Sequence, residues 1–201
     1  MEPRIVVALL RKEINDSLKN RWFVLYAAMF TGLALLLSWL SLSSGGIGYS
    51  GFASFGRTAA SLINLVLLIV PLMALTVGAG SLAGERERGT LGYLLSQPVN
   101  RAEVLLGKYL GLAASLLGAL ALGFGLSGLV IASQGRANDA GAYALLAVFA
   151  FALALGMLSL GFLVGVLAPK SAVATSVALF LWLIFVFIGD QIGRASCRER
   201  V

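Results

Sequence analysis

Five long apolar runs, each closed by a short polar break, dominate this chain. They cover Trp22–Leu42, about 59–83, about 104–133, about 143–168, and a last stretch from Val173 to Gly189 that is carried on to Gln191. About 20 apolar residues rising 1.5 Å each cross a hydrocarbon core of about 30 Å. The first four runs clear that length; the fifth is marginal because it reads as cut short. The pattern predicts an all-α, polytopic membrane bundle with 22–191 as its transmembrane domain. Five spans leave the two ends on opposite sides, so a sixth span, missing from this sequence by truncation, is expected to return the chain.

Ahead of the first run, residues 1–21 read as a separate helix. Pro3 suits a first turn, and Val6, Val7, Leu10, Ile14 and Leu18 recur at three- and four-residue spacing along one side. Arg11, Lys12, Asn15, Asp16 and Lys19 surround them. Such a helix is too charged to cross and apolar enough to lie on an interface. A plain soluble lead-in is the other reading. The direct run into Trp22, a residue favoured at membrane surfaces, tips the balance toward an in-plane elbow. Nearly twenty residues with polar positions among them precede the first apolar run, which argues against a signal peptide.

Charge then orients the bundle. Arg4, Arg11, Lys12, Lys19, Arg21, Arg86, Arg88, Arg101, Lys108 and Lys170 fall on one side of the alternating breaks, and only Arg57 and Arg136 on the other. The positive-inside bias puts the N-terminus in the cytoplasm of a bacterial inner membrane. The same distribution leaves no basic patch of the kind nucleic acid requires. Composition agrees with a lipid environment: 59% of the 201 residues are hydrophobic and 12% charged, against about 25% charged in soluble domains.

The last ten residues, Ile192–Val201, read IGRASCRERV and break the pattern. All ten match one frame of a common short-read sequencing adapter, so 192–201 is read as a cloning or assembly scar and left out of fold reasoning. A short basic cytoplasmic tail is the alternative. On the first reading Cys197, the chain's one cysteine, lies in foreign sequence.

The break between the second and third runs is the richest in chemistry. Gly84–Gly107 reads GERERGTLGYLLSQPVNRAEVLLG, and 84–103 is its polar part. Glu85, Arg86, Glu87 and Arg88 end the second helix in water, Gly89 permits a reversal, and Thr90 is placed to cap a short helix. Leu91, Leu94 and Leu95 fall on one side of that helix. Pro98 ends it, because the residue before a proline is pushed out of helical geometry. Asn100-Arg101-Ala102-Glu103 makes a capping box for the third span. Two readings stand: a solvated loop whose leucines touch the interface, or a knob whose leucines fill a partner's groove while the charges set register.

With its leucines and charges in this order, the run GERERGTL…LL..P..R.E.LLGK resembles the cytoplasmic element after the second span of type-2 ATP-binding-cassette exporter permeases. The elbow RKEINDSLKNRW and the five spans extend the likeness over nearly all of residues 1–191. The resemblance implies a permease of six spans that works as a dimer, here a second copy of this chain, with a cytoplasmic ATPase subunit. ATP and Mg would be bound by that subunit and none by this chain. It also implies that Glu85, Glu87, Gly89, Thr90, Leu94, Leu95, Pro98 and Arg101 dock on the ATPase and transmit its closure, with Arg86 and Leu91 beside them. Within the family, RTAASLINLVLLIVPL and the late Asp190 are most similar to the permease of the exporter that serves copper-centre assembly in nitrous oxide reductase.

Other chemistry is missing from the sequence. No G-x-x-x-x-G-K-[ST] occurs, so no phosphate-cradling loop is present and the chain is not expected to be an enzyme. The absence of histidine removes Ser-His-Asp triads and histidine-held copper or zinc. Met1, Met29, Met73 and Met157 form no ladder for a soft metal, and no catalytic or metal site is expected. Asp190, at the end of the fifth run, reads equally as an intramembrane polar site or an ordinary helix end. Gly80/Gly84, Gly107/Gly111 and Gly161/Gly165 recur at four-residue spacing, as close helix packing requires. Pro71 marks a kink, and Arg57 is placed to snorkel outward. The outer stretch 43–58 reads as a re-entrant helix or a loose linker. Competing functions are an ion-coupled secondary transporter, which would need inverted repeats and buried charge pairs, a membrane enzyme, and a membrane anchor for a maturation complex.

Overall fold

The computed structural model describes residues 3–43, 51–89, 101–132 and 140–198. Six helices occupy them: α1 (Pro3–Lys19), α2 (Arg21–Ser43), α3 (Gly51–Glu87), α4 (Arg101–Ala132), α5 (Ala140–Leu167) and α6 (Ser171–Arg198). All described secondary structure is helical, so the chain is an all-α bundle. Five of these helices contain stretches long and apolar enough to span a membrane: Arg21–Leu40, Ser61–Glu87, Ala102–Val130, Gly141–Leu167 and Ser171–Gly189. The protein is a multi-pass membrane protein.

Local chemistry sets the joints. The amide of Asn20 still bonds the Asp16 carbonyl at 3.0 Å, while its side-chain oxygen accepts the amide of Trp22 at 3.1 Å. One asparagine thus closes α1 and caps α2, joining the two helices with no loop between them. Pro169 stands two residues past the end of α5, where it cannot continue a helix, and α6 begins two residues later. Gly89 has φ +72°, the left-handed conformation that ends α3 at little steric cost.

The helices pack as two groups. α3 is the hub of one, lying along α5 and also against α6, while α4 packs on α1 and α2. α3 and α4 scarcely touch each other, and the groups meet mainly through α2 against α3 and α4 against α5. Backbones approach most closely between α3 and α5. A methyl group on Gly78 would lie 2.9 Å from the Leu158 carbonyl oxygen, on Gly161 2.6 Å from that of Leu75, and on Gly165 2.8 Å from that of Ala79. Lipid tails are as apolar as leucine, so such contacts hold by dispersion and shape, which small residues permit. One buried cluster gathers Met73, Leu75, Leu112, Leu116 and Leu158. A second gathers Phe30, Val66, Ile69, Leu120 and Phe124, and Phe30 meets Phe124 edge-on with centroids 5.5 Å apart.

Two stretches go beyond the sequence reading. α3 starts at Gly51, about eight residues ahead of the apolar run, so 51–58 is helical rather than linker, while 44–50 lies outside the described residues. Extending an existing helix adds one hydrogen bond per residue fixed and escapes the nucleation cost, so even a glycine-containing stretch can join it. At 37 residues α3 is about 55 Å long, more than the core needs. α6 continues through Asp190 into the segment read as foreign and is helical as far as Arg198. The break after α4, read from the sequence as an outer connection, includes 133–139, which lie outside the described residues.

Candidate functional site

The ends of α3, α5, α4 and α6 that border the breaks at 88–100 and 168–170 gather at one end of the bundle, with α1 beside them. Three consecutive residues of α3 bind four neighbouring helices there. Glu85 accepts Lys108 of α4 at 2.9 Å and Lys12 of α1 at 3.3 Å. Arg86 donates to the Ala168 carbonyl at the end of α5, 3.0 Å away. Glu87 accepts the backbone amide of Ser171, the first residue of α6, at 3.2 Å.

Helix electrostatics explains why this order of charges works. The end of α5 presents unpaired carbonyls and a partial negative charge, which a guanidinium satisfies. The start of α6 presents free amides and a partial positive charge, which a carboxylate satisfies. Lys170 stands at the capping position of α6, its carbonyl accepting the Ala174 amide at 3.0 Å. Lysine has no acceptor to offer the first amides; Glu87 supplies one from another helix.

The most buried part of the site is Lys108. Its ammonium donates to Glu13 of α1 at 2.7 Å as well as to Glu85, and the Lys108 and Glu13 side chains are only 5% and 7% exposed. Glu85 is 14% exposed, while Lys12, which also pairs with Asp16 at 3.9 Å, is 47% exposed at the rim. Charges this well covered persist only when paired. A methyl group on Gly111 would lie 2.5 Å from the Glu13 Cβ, so α1 crosses α4 at a glycine one turn past Lys108.

Glu85, Arg86, Glu87 and Gly89 thus sit together at this end. Glu85 is largely covered rather than ending α3 in water, because Lys108 and Lys12 enclose it. Arg101 opens α4, whereas Thr90, Leu91, Leu94, Leu95 and Pro98 lie outside the described residues. Of the paired glycines, Gly111, Gly161 and Gly165 meet neighbouring helices closely. Gly107 is buried, while Gly80 and Gly84 have only ordinary contacts, with Thr175 and Arg88 as their respective nearest neighbours at 3.8 and 3.7 Å. Asp190 lies on α6, far along the chain from this end.

Sequence reasoning passed over Glu13, Lys12 and Lys108 as members of the site. A cation inside a membrane-length apolar run demands a partner, and Lys108 carried that signal. Glu13 stands beside the apolar stripe of α1 and is buried while Leu18, within the stripe, is 60% exposed. α1 therefore docks on α4 through one edge of its apolar stripe, where Glu13 and Ser17 are buried and Leu10 and Ile14 half-buried, while Leu18 at the other edge stays outward.

A family of known transporters shares nearly the whole of this chain: the model for ABC-2 family transporter proteins matches residues 7–197. The chain belongs to that family. Among curated ABC-2 relatives, it is 32% identical over 188 residues to "Probable ABC transporter permease protein NosY" of Stutzerimonas stutzeri, covering 92% of this chain and 67% of the relative. It is 33% identical over 190 residues to the protein of the same name from Pseudomonas aeruginosa, covering 92% and 68%. The chain thus resembles NosY permeases within the ABC-2 family and spans about two thirds of their length.

Proposed function

We propose that this chain is the membrane-spanning subunit of an exporter driven by a separate ATPase, and that the segment between α3 and α4 is where the ATPase grips it. The observation that carries this reading is the charge run at the end of α3. Glu85, Arg86 and Glu87 tie α3 to α1, α4, α5 and α6 directly before that segment, so force applied there would reach those four helices. Membership of the ABC-2 family supports an ATPase partner that binds ATP and Mg. A second copy of the permease would complete the pathway between rocking bundles. This end faces the cytoplasm of a bacterial inner membrane, in keeping with the basic residues gathered on it. Likeness to the copper-centre assembly permease suggests cargo destined for that process. The chain offers no histidine to hold copper itself.

The test is recovery of the ATPase by tagged permease in lipid nanodiscs, with Leu94→Asp/Leu95→Asp as the variant. Loss of the ATPase, and of the hydrolysis it shows in the complex, is expected. Undiminished association overturns the docking role.

A further inference from the structure

α3 and α4 flank the segment on which that reading places the ATPase, yet they belong to different packed groups and scarcely touch. At the end where a pull would arrive, the buried ammonium of Lys108 joins them among the described residues. Lys108 of α4 holds Glu85 of α3 and, on its other side, Glu13 of α1. Resting on the permease reading above, we propose that Lys108 is the positioning residue that keeps α3, α4 and α1 in register at this end, so that a pull on 88–100 moves both groups together instead of prying α3 from α4.

The geometry distinguishes this tie from the other contacts nearby. The bonds of Arg86 and Glu87 run from α3 to α5 and α6, within α3's own group. Among the described charged pairs, those of Glu85 with Lys108 and Lys12 cross from one group to the other. Lys12 does so from an exposed position, where an ion pair is screened and adds little, whereas Lys108 is enclosed. An ammonium carries three donors on a flexible stem and so can serve two carboxylates that arrive from different helices. Glycine at 111 lets α1 come close enough for Glu13 to reach it.

The experiment measures whether α3 and α4 stay in register while the ATPase closes. Spin labels are placed at the exposed positions Arg88 and Leu105 in a Cys197→Ser chain assembled with its ATPase in nanodiscs. Their separation is read without nucleotide and after trapping with ATP and orthovanadate. The parent is expected to give one narrow distance in both states. Glu85→Ala, which cuts the tie but leaves Lys108 its Glu13 partner, is expected to broaden or shift that distance on trapping by more than the parent's own width. Lys12→Gln, which removes the rim contacts with Glu85 and Asp16 but leaves Lys108 in place, is expected to behave as the parent. A shift in the parent overturns the proposal, as does a Glu85→Ala distance as steady as the parent's or a Lys12→Gln chain that loosens equally. Association with the ATPase is scored separately by pull-down. Its absence in the parent overturns the permease reading, and this proposal with it.

Discussion

Gly161 of α5 faces the Leu75 carbonyl of α3 so closely that a methyl group on it would lie 2.6 Å from that oxygen. The obstacle is backbone, which has no rotamer to give way, so two long helices would have to part. Gly161→Ala is expected to destabilise the bundle by about 1–3 kcal/mol, the usual cost of overpacking. Gly156, on the same helix, has nothing within 4 Å of its would-be methyl. Gly156→Ala is expected to be neutral or to stabilise by up to about 1 kcal/mol through backbone entropy. Thermal unfolding in detergent should therefore fall for Gly161→Ala and hold or rise for Gly156→Ala.

The indole of Trp182 on α6 donates to the Leu68 carbonyl of α3 at 2.8 Å. Pro71 lies three residues on in the same helix and has no N–H for the Leu67 carbonyl, so the ladder is already interrupted there. Trp182→Phe is expected to cost about 0.5–1.5 kcal/mol, the net worth of one hydrogen bond. Should the bond depend on the kink, Pro71→Ala and Trp182→Phe will be non-additive in a double-mutant cycle. Additive unfolding shifts would show that Trp182 reaches Leu68 whatever the helix does.

The spans were legible because length and apolarity are properties of one stretch of chain, and lipid demands both from each helix separately. Helix contacts were less so. Counting glycines four apart found Gly161 and Gly165 but missed Gly78, whose tight neighbours Leu158, Gly161 and Phe162 belong to another helix. The Glu13–Lys108 bond joins residues 95 apart in sequence, and nothing within α1 says that a glutamate at the edge of its apolar stripe is buried against another helix. Arg86 and Glu87 read as part of a charged knot, but their partners, a helix end and a helix start, appear only once α5 and α6 are placed.

Those two contacts are separable by hydrogen exchange. Glu87→Ala removes the acceptor for the Ser171 amide, and a lost cap of this kind costs about 1 kcal/mol, or roughly fivefold in local opening. Amides of residues 171–174 are expected to exchange faster by about that factor, with those of 164–168 unchanged. Arg86→Gln should do the reverse, fraying the last turn of α5, where the Ala168 carbonyl loses its donor. Equal acceleration of both stretches in either variant would mean that the charge run acts only as a diffuse field.

Lys108 supplies the largest expected effect on stability. Lys108→Met leaves Glu13 buried without its ammonium, and Glu85 with only the Lys12 contact among its described ion pairs. Removing one partner from a buried ion pair costs about 3–5 kcal/mol, because the remaining charge is uncompensated. The loss should be partly recovered in Glu13→Gln/Glu85→Gln/Lys108→Met, since neutral side chains of similar size carry no such penalty and buried ion pairs often fare no better than their uncharged replacements. Unfolding of the single and triple variants in detergent, followed at low and high salt, checks this. A triple variant no more stable than Lys108→Met alone would mean that shape rather than charge holds α1 against α4.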